Sequence, residues 1–432
     1  MLYRFIRFIY SSLFLLIIPF VFIQKIIRSR HNKGYRQRWS ERFGQVGFRL
    51  KESILIHSVS MGESIAIAPL VKKLSAQYPT LDIVVTTMTP TGSTQVRKLY
   101  QNYANIYHAY LPYDIPIFLN KFFKRISPQV SVIMETELWP NLLAICHKKS
   151  IPVILTNARL SQKSADVYAK IRFITRNMLA HISHISAQSP ADRERFIALG
   201  MESENITVAG NIKYDFSVDP NTIKQGNILK TQFGERPVWI AASTHRTEEE
   251  IILQAHQKIQ EKHPKALLIL VPRHPERFNE VYQIIQKHHF TVTRRSLNNG
   301  QLNTINVYLA DTMGEMMVFY AACDIAFVGG SFSGTGGHNM IEPAALGKAI
   351  FSGPSTFNFA QVTQLLLENK ALIIAKNTQE LADNIITLFQ EKQQQKIMGE
   401  RALACYNQNK GALAIQLKFI RQFIDASNMA TN

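Results

Sequence analysis

A chain of 432 residues, 46% of them hydrophobic, is too long for one ordinary domain and long enough for two, each burying its own core. Its three scattered cysteines, Cys146, Cys323 and Cys405, argue against a disulfide framework or a structural zinc and fit a reducing compartment. The net charge of +18 suits nucleic acid, a membrane surface or acidic substrates, but residues 1–50 hold half of it, with ten Lys/Arg against one acid. The remainder shows no basic stripe with interleaved aromatics, so nucleic acid is not an expected partner.

The segment Phe8–Gln24 carries no formal charge and, at 17 residues, is slightly shorter than the ~20 that cross a bilayer. Pro19 interrupts it. No small-x-small cleavage site precedes Lys25 and Arg28, which disfavours a cleaved signal peptide. Residues 1–50 are therefore expected to form an uncleaved hydrophobic membrane anchor, either spanning or lying deep in one leaflet. The cations after it, including Arg36, Arg38 and Arg42 around Trp39, predict that the body of the chain is cytoplasmic and that anionic lipids attract this segment.

Over residues 51–218 short apolar runs alternate with longer mixed segments. Strands are expected at Ile54–His57, Ile83–Thr86, Ile106–Leu111, Val130–Met134, Val153–Thr156, His184–Ala187 and Ile206–Val208, with helices between several of them. The alternation predicts a doubly wound, Rossmann-like α/β domain that binds ligands beyond the carboxyl ends of its strands. Three strand ends carry chemistry. In His57–Glu63 a small-residue loop leads to Glu63 at a helix start, placed either to take a proton from a hydroxyl or to complement the helix dipole. Thr86–Ser93 is a hydroxyl-rich turn that binds sugar or phosphate, or caps a helix. In Glu135–Asn141, Glu135 and Glu137 follow a buried strand directly, an arrangement that needs partners. Lys213, after the last strand, is either a fixed cation or a surface lysine.

Residues 217–237 read as a linker. A second α/β series fills 219–432, with strands at Val238–Ala242, Leu267–Val271, Val307–Leu309, Ile325–Val328, Ala349–Ser352 and Leu372–Ala375. From Thr378 the chain reads as helical to its end, and the last helices are expected to brace the first domain. Arg273 follows an apolar strand and offers a phosphate its planar fork of donors. Asp311–Glu315 opens a helix whose free N–H groups suit a base or phosphate. In Ile325–Gly347 a strand breaks into a loop with five glycines and then a helix start, a pattern that sets backbone N–H groups against an anion. Asn339 and Glu342 share a face there and suit a ribose. The spacing fits neither a Walker P-loop nor the Rossmann fingerprint. His245, His274 and His338 lack metal-ligand spacing, so no metal is expected.

The motifs HSVSMGE, TTMTPTG, YLPYD, ETELWPN, NARLS, GNIKYD, STH, VPRHPERF, DTMGEM, FVGGSFSGTGGHNMIEPAALG and GPSTFNF, in this order, resemble those of the 3-deoxy-D-manno-octulosonic acid (Kdo) transferases. The likeness covers nearly the whole chain. It implies a GT-B fold of two Rossmann-like domains, with the lipid A precursor on the N-terminal side, CMP-Kdo on the C-terminal side, and neither metal nor cofactor. It also implies Glu63 as general base and Glu135 and Lys213 as transition-state stabilisers. CMP contacts fall to Pro272, Arg273, Met313, Gly314 and Glu315, and to Asn339, Met340, Ile341 and Glu342. The sequence departs from the family pattern at Ser333–Thr335 and at Met340–Ile341, while Asn339 and Glu342 keep their places. The implied setting is the cytoplasmic face of the inner membrane. A nucleotide-sugar epimerase or a UDP-sugar transferase of the same fold is the alternative.

Overall fold

The computed structural model describes residues 1–30, 33–297 and 302–431. The alternating pattern folds into two wholly parallel seven-stranded sheets. The first contains β1 (Ser53–His57), β2 (Asp82–Thr87), β3 (Ile106–Tyr110), β4 (Pro128–Met134), β5 (Val153–Ala158), β6 (His184–Ala187) and β7 (Ile206–Val208), in the order β3-β2-β1-β4-β5-β6-β7. The second contains β8 (Val238–Thr244), β9 (Leu267–Pro272), β10 (Val292–Arg294), β11 (Val307–Leu309), β12 (Ile325–Val328), β13 (Ala349–Ser352) and β14 (Leu372–Ile374), in the order β10-β11-β9-β8-β12-β13-β14. Helices cover both faces of such sheets, so the strands read as unbroken apolar runs; every residue of β1, β5 and β9 is buried. In both sheets the strand order reverses beside the first strand, between β1 and β4 and between β8 and β12. The loops leaving those strands flank the crevice where doubly wound sheets hold ligands.

The chain divides into two compact units, residues 1–215 with 410–432, and residues 216–409. The terminal helix Ala412–Thr431 thus belongs to the first unit. Its Leu413, Leu417, Ile420 and Ile424 share a core cluster with Ile54, Ile83 and Val130 of the first sheet. Gln416, fully buried, accepts from Thr156 Oγ1 at 2.5 Å. The Asp215 carboxylate accepts from the N–H groups of Gly411 (2.7 Å) and Leu413 (2.5 Å), fixing the start of this helix.

Three expectations change. Residues 217–237 are not a plain linker but contain the helix Pro220–Phe233, capped by Asp219. It buries Leu229 and Phe233, too few apolar positions to write a clear helical period, and Gly226 supplies the closest approach without a side chain, since a Cβ there would stand 2.3 Å from Ala321 Cβ. The strand β10, three half-buried residues at a sheet edge, was not expected either. Finally, the first helix runs unbroken through Pro19, from Leu2 to Arg28, and its Leu2–Ile27 stretch is long and apolar enough to cross a membrane, an 18-residue window within it having mean hydropathy 2.2.

The cations after that helix are also reassigned. Arg42 is buried, lies 4.2 Å from the Tyr110 ring centroid and donates to Met88 O at 3.1 Å. Arg38 pairs with Glu41 (2.7 Å) and donates to His108 O (2.8 Å). Both brace the first unit rather than face lipid, while Arg36 stays exposed. The side chains of Arg28 and Lys33 lie outside the described structure.

Candidate functional site

In the first unit, the buried β1 ends at His57, whose Nδ1 meets Thr86 Oγ1 at 2.9 Å; burial holds this imidazole down to about 4, so it is neutral. Ser60 then caps the helix Met61–Gln77. Glu63 closes the S-x-x-E pattern of a capping box, with Oε2 accepting from Val59 N–H and Oε1 from the Ser60 hydroxyl, each at 2.8 Å. Both of the sequence readings of Glu63 are therefore compatible, since a cap can also be a base. Burial raises its carboxyl above the ordinary range, against the pull of the Ser60 and Val59 hydrogen bonds, and the charge of Glu135 adds to the rise.

Glu135 follows β4 at φ +58°, a left-handed conformation that costs a non-glycine residue on the order of 1 kcal/mol. Its N–H donates to Thr156 O at 2.9 Å, so the bend belongs to the sheet edge itself. Glu137, which the resemblance did not assign, is pushed up to about 7 by burial and by the charge of Glu63. Glu63, Glu135 and Glu137 thus form one electrostatically coupled group. Lys213 lies exposed in the turn Ile212–Tyr214. A left-handed Asn157 (φ +52°) at the end of β5 holds that turn by accepting from Ile212 N–H at 3.0 Å, and the turn packs against the Glu63 helix.

In the second unit a cavity of about 290 Å³ opens at the carboxyl ends of β8, β9 and β12. Six of the residues expected to bind the donor line it: Pro272, Arg273, Met313, Gly314, Asn339 and Glu342. Asn339 Nδ2 donates to Glu342 Oε1 at 3.2 Å. Burial raises the Glu342 carboxyl, opposed by that hydrogen bond and by Arg273. Arg273 is exposed, whereas Arg277 in the same loop is buried and forks onto Glu249 at 2.7 and 3.2 Å. A larger cavity of about 820 Å³ lies at the opposite, amino-terminal edge of β8 and β12, away from the end where parallel sheets bind ligands.

Three expected residues stand off the cavity. Glu315 pairs with Arg295 at 2.7 Å and accepts from Thr312 Oγ1, which holds its carboxyl below the usual range. Met340 and Ile341 turn their side chains into the core.

The glycine-rich loop does hold an anion, but the anion is internal. The fully buried Glu248 carboxylate accepts from the N–H groups of Gly330 (2.7 Å), Ser331 (2.9 Å) and Phe332 (2.8 Å), and from that of His245 (2.9 Å). These amides are therefore engaged by the protein's own carboxylate. The same loop brings His338 to the cavity, with Nε2 2.7 Å from His245 Nε2 and the rings 8° from parallel. Burial first, then the neighbouring His245, holds His338 down to about 4, so it stands neutral near pH 7. His274 meets His245 edge-on, with centroids 5.2 Å apart. Sequence spacing gave no sign of this grouping, because the rings come from the ends of three adjacent strands, β9, β8 and β12.

Residues 37–216 match the family described as 3-deoxy-D-manno-octulosonic-acid transferase (kdotransferase), and residues 235–404 match glycosyl transferases group 1. The 3-deoxy-D-manno-octulosonic acid transferase of Haemophilus influenzae is 38% identical over 424 residues, covering 97% of this chain and 99% of that protein. The transferase of the same name from Bordetella pertussis is 32% identical over 406 residues, covering 91% of this chain and 94% of that protein. Among solved structures, the UDP-GlcNAc 2-epimerase from Neisseria meningitidis bound to UDP-GlcNAc superposes with a TM-score of 0.55 over 86% of this chain and 99% of that one. At 15% identity that likeness concerns the fold alone.

Proposed function

We propose the reaction of this chain from the premise that it belongs to the 3-deoxy-D-manno-octulosonic acid (Kdo) transferase family and is a glycosyltransferase of the GT-B fold. The reaction moves Kdo from CMP-Kdo to a lipid A precursor of the lipid IVA type and releases CMP, within lipopolysaccharide biosynthesis. The observation that carries this reading is the full-length similarity to Kdo transferases, which extends over both units. The acceptor hydroxyl attacks the anomeric carbon of Kdo with inversion, and its proton passes to Glu63. The bond from that carbon to the phosphate oxygen breaks, and CMP leaves with the electron pair. A carboxylate made more basic by burial suits the first task.

Glu135 and Lys213 are assigned to charge stabilisation around the transferring sugar. Arg273 meets the phosphate, Asn339 and Glu342 read the ribose, and Pro272, Met313 and Gly314 shape the walls. Glu315, Met340 and Ile341 support that wall from behind, through the Arg295 pair and the core. Fixed cations and backbone dipoles supply the charge compensation in place of a metal. The proposed location is the cytoplasmic face of the inner membrane, where an anionic lipid acceptor is available.

The test is product formation from CMP-Kdo and a lipid IVA-type acceptor, read by mass spectrometry. Wild type should add Kdo, and Glu63→Ala should lose about 10²–10⁴-fold in kcat. Robust turnover by the variant removes the base assignment; no product from wild type removes the function. Thermal stabilisation should follow CMP, and stabilisation by UDP alone would favour the epimerase or UDP-sugar alternative.

A further inference from the structure

The helix Leu2–Arg28 has two faces with different surroundings. Along one, Tyr3 lies against His181 (ring centroids 5.8 Å), Ser11 Oγ accepts from the buried Asn141 Nδ2 (2.9 Å), and Phe14 rests on Tyr113 (6.1 Å). Further along the same face, Phe22 packs on Trp39 (3.9 Å) and Lys25 Nζ donates to the Tyr113 hydroxyl (2.9 Å). Positions 3, 11, 14, 22 and 25 recur as one helical stripe. On the opposite stripe Phe5, Ile9, Leu13, Leu16, Phe20 and Ile23 are open, with Phe5 60%, Leu16 70% and Phe20 71% exposed.

The docked stripe is long. From Tyr3 to Lys25 it covers roughly 33 Å at 1.5 Å per residue, about the thickness of the hydrocarbon core. A helix that crossed the bilayer while docked would drag His181, Asn141 and the irregular backbone around Tyr113 through that core, where nothing satisfies loop backbone. Crossing after undocking would abandon the Ser11–Asn141 bond and the packing of Phe14 and Phe22. Neither cost arises if the helix lies flat. The charges agree: exposed cations stand at both ends, Arg4 at one and Arg30 and Arg36 beyond the other. Both ends would then meet the same anionic surface, whereas a crossing helix favours cations on one side.

We propose that this helix lies in the plane of one anionic leaflet, docked on the first unit by one face and sunk into the acyl boundary by the other, without crossing the bilayer. The inference rests on the membrane location proposed above. It is tested on the full chain, whose native cysteines are all buried, with spin labels at Phe5→Cys, Leu16→Cys and Ile27→Cys. The protein is bound to vesicles of phosphatidylethanolamine and phosphatidylglycerol, and label depth is read by power saturation with oxygen and a nickel chelate. Equal depths at all three sites, about 5–10 Å below the headgroup boundary, are expected. Leu16→Cys at the bilayer centre, with Phe5→Cys and Ile27→Cys near opposite surfaces, overturns the in-plane arrangement alone. Absence of vesicle binding overturns the membrane location on which it rests.

Discussion

At Glu63 two influences on one carboxylate oppose each other. The Val59 N–H and Ser60 hydroxyl favour the ionised form, burial and Glu135 disfavour it, and the balance lies with burial. Glu137 titrates in the same neighbourhood, raised to about 7 by burial and then by Glu63. The interaction runs from Glu63 to Glu137, whose carboxyl the Glu63 charge raises. Glu63→Gln should therefore move the Glu137 titration to lower pH, read by NMR of the labelled carboxyl carbon; an unmoved Glu137 would separate the two groups. Stability gives a second readout. A carboxyl whose folded pKa is raised contributes stability below its ordinary 4.5 and loses it as pH rises through about 7. The melting temperature of Glu137→Gln relative to wild type should accordingly rise between pH 5 and pH 8. Sequence identified Glu63 because capping is local; it left Glu135 and Glu137 undivided because their difference is the company each keeps.

The loop after β12 shows what a local pattern leaves open at the scale of an element. Glycines at 329, 330, 334, 336 and 337 announce close backbone approach, and Gly330 meets the need: at φ +72°, a Cβ there would lie 2.8 Å from His338 Cδ2. The pattern does not say which anion the amides hold. Glu248, 82 residues upstream of the first of them, holds four N–H groups with one carboxylate. Glu248→Ala leaves four buried donors, each costing about 1–3 kcal/mol if no water replaces the carboxylate. The expected loss is about 4 kcal/mol or more, read by urea denaturation, together with lost CMP-induced stabilisation as His338 moves. Glu248→Gln should be nearly as damaging, since its amide nitrogen would face donors. A well-tolerated Gln would show that the loop stands without this carboxylate.

For the whole molecule, the last helix closes the first unit from the far end of the chain. Leu413, Leu417, Ile420 and Ile424 are buried, and at about 1.5–3 kcal/mol for each side chain their loss would be roughly 6–12 kcal/mol. That is comparable to the whole stability of a typical domain, about 5–15 kcal/mol. Truncation after Asn409 should leave the first unit unfolded, judged by protease sensitivity, while residues 216–409 retain a cooperative melt; a protected first unit would contradict this account. Sequence by itself determined every strand but β10, and the loops at their carboxyl ends, because burial on both faces writes an apolar run and helix starts are written by their caps; β10, half-buried at a sheet edge, writes no such run. It missed the helix Pro220–Phe233, whose buried Leu229 and Phe233 are too few to write a period and whose closest approach is made by Gly226. Tertiary structure alone decided which loops meet. The His245–His338 pair and the Glu248 cradle join residues 82 to 93 positions apart, because the order β9-β8-β12 sets their strand ends side by side. The same holds for the N-terminal helix: its apolar stretch is long enough to suit a bilayer, and only the tertiary structure shows that one of its faces is docked on the first unit, since hydrophobicity is not directional and docking is.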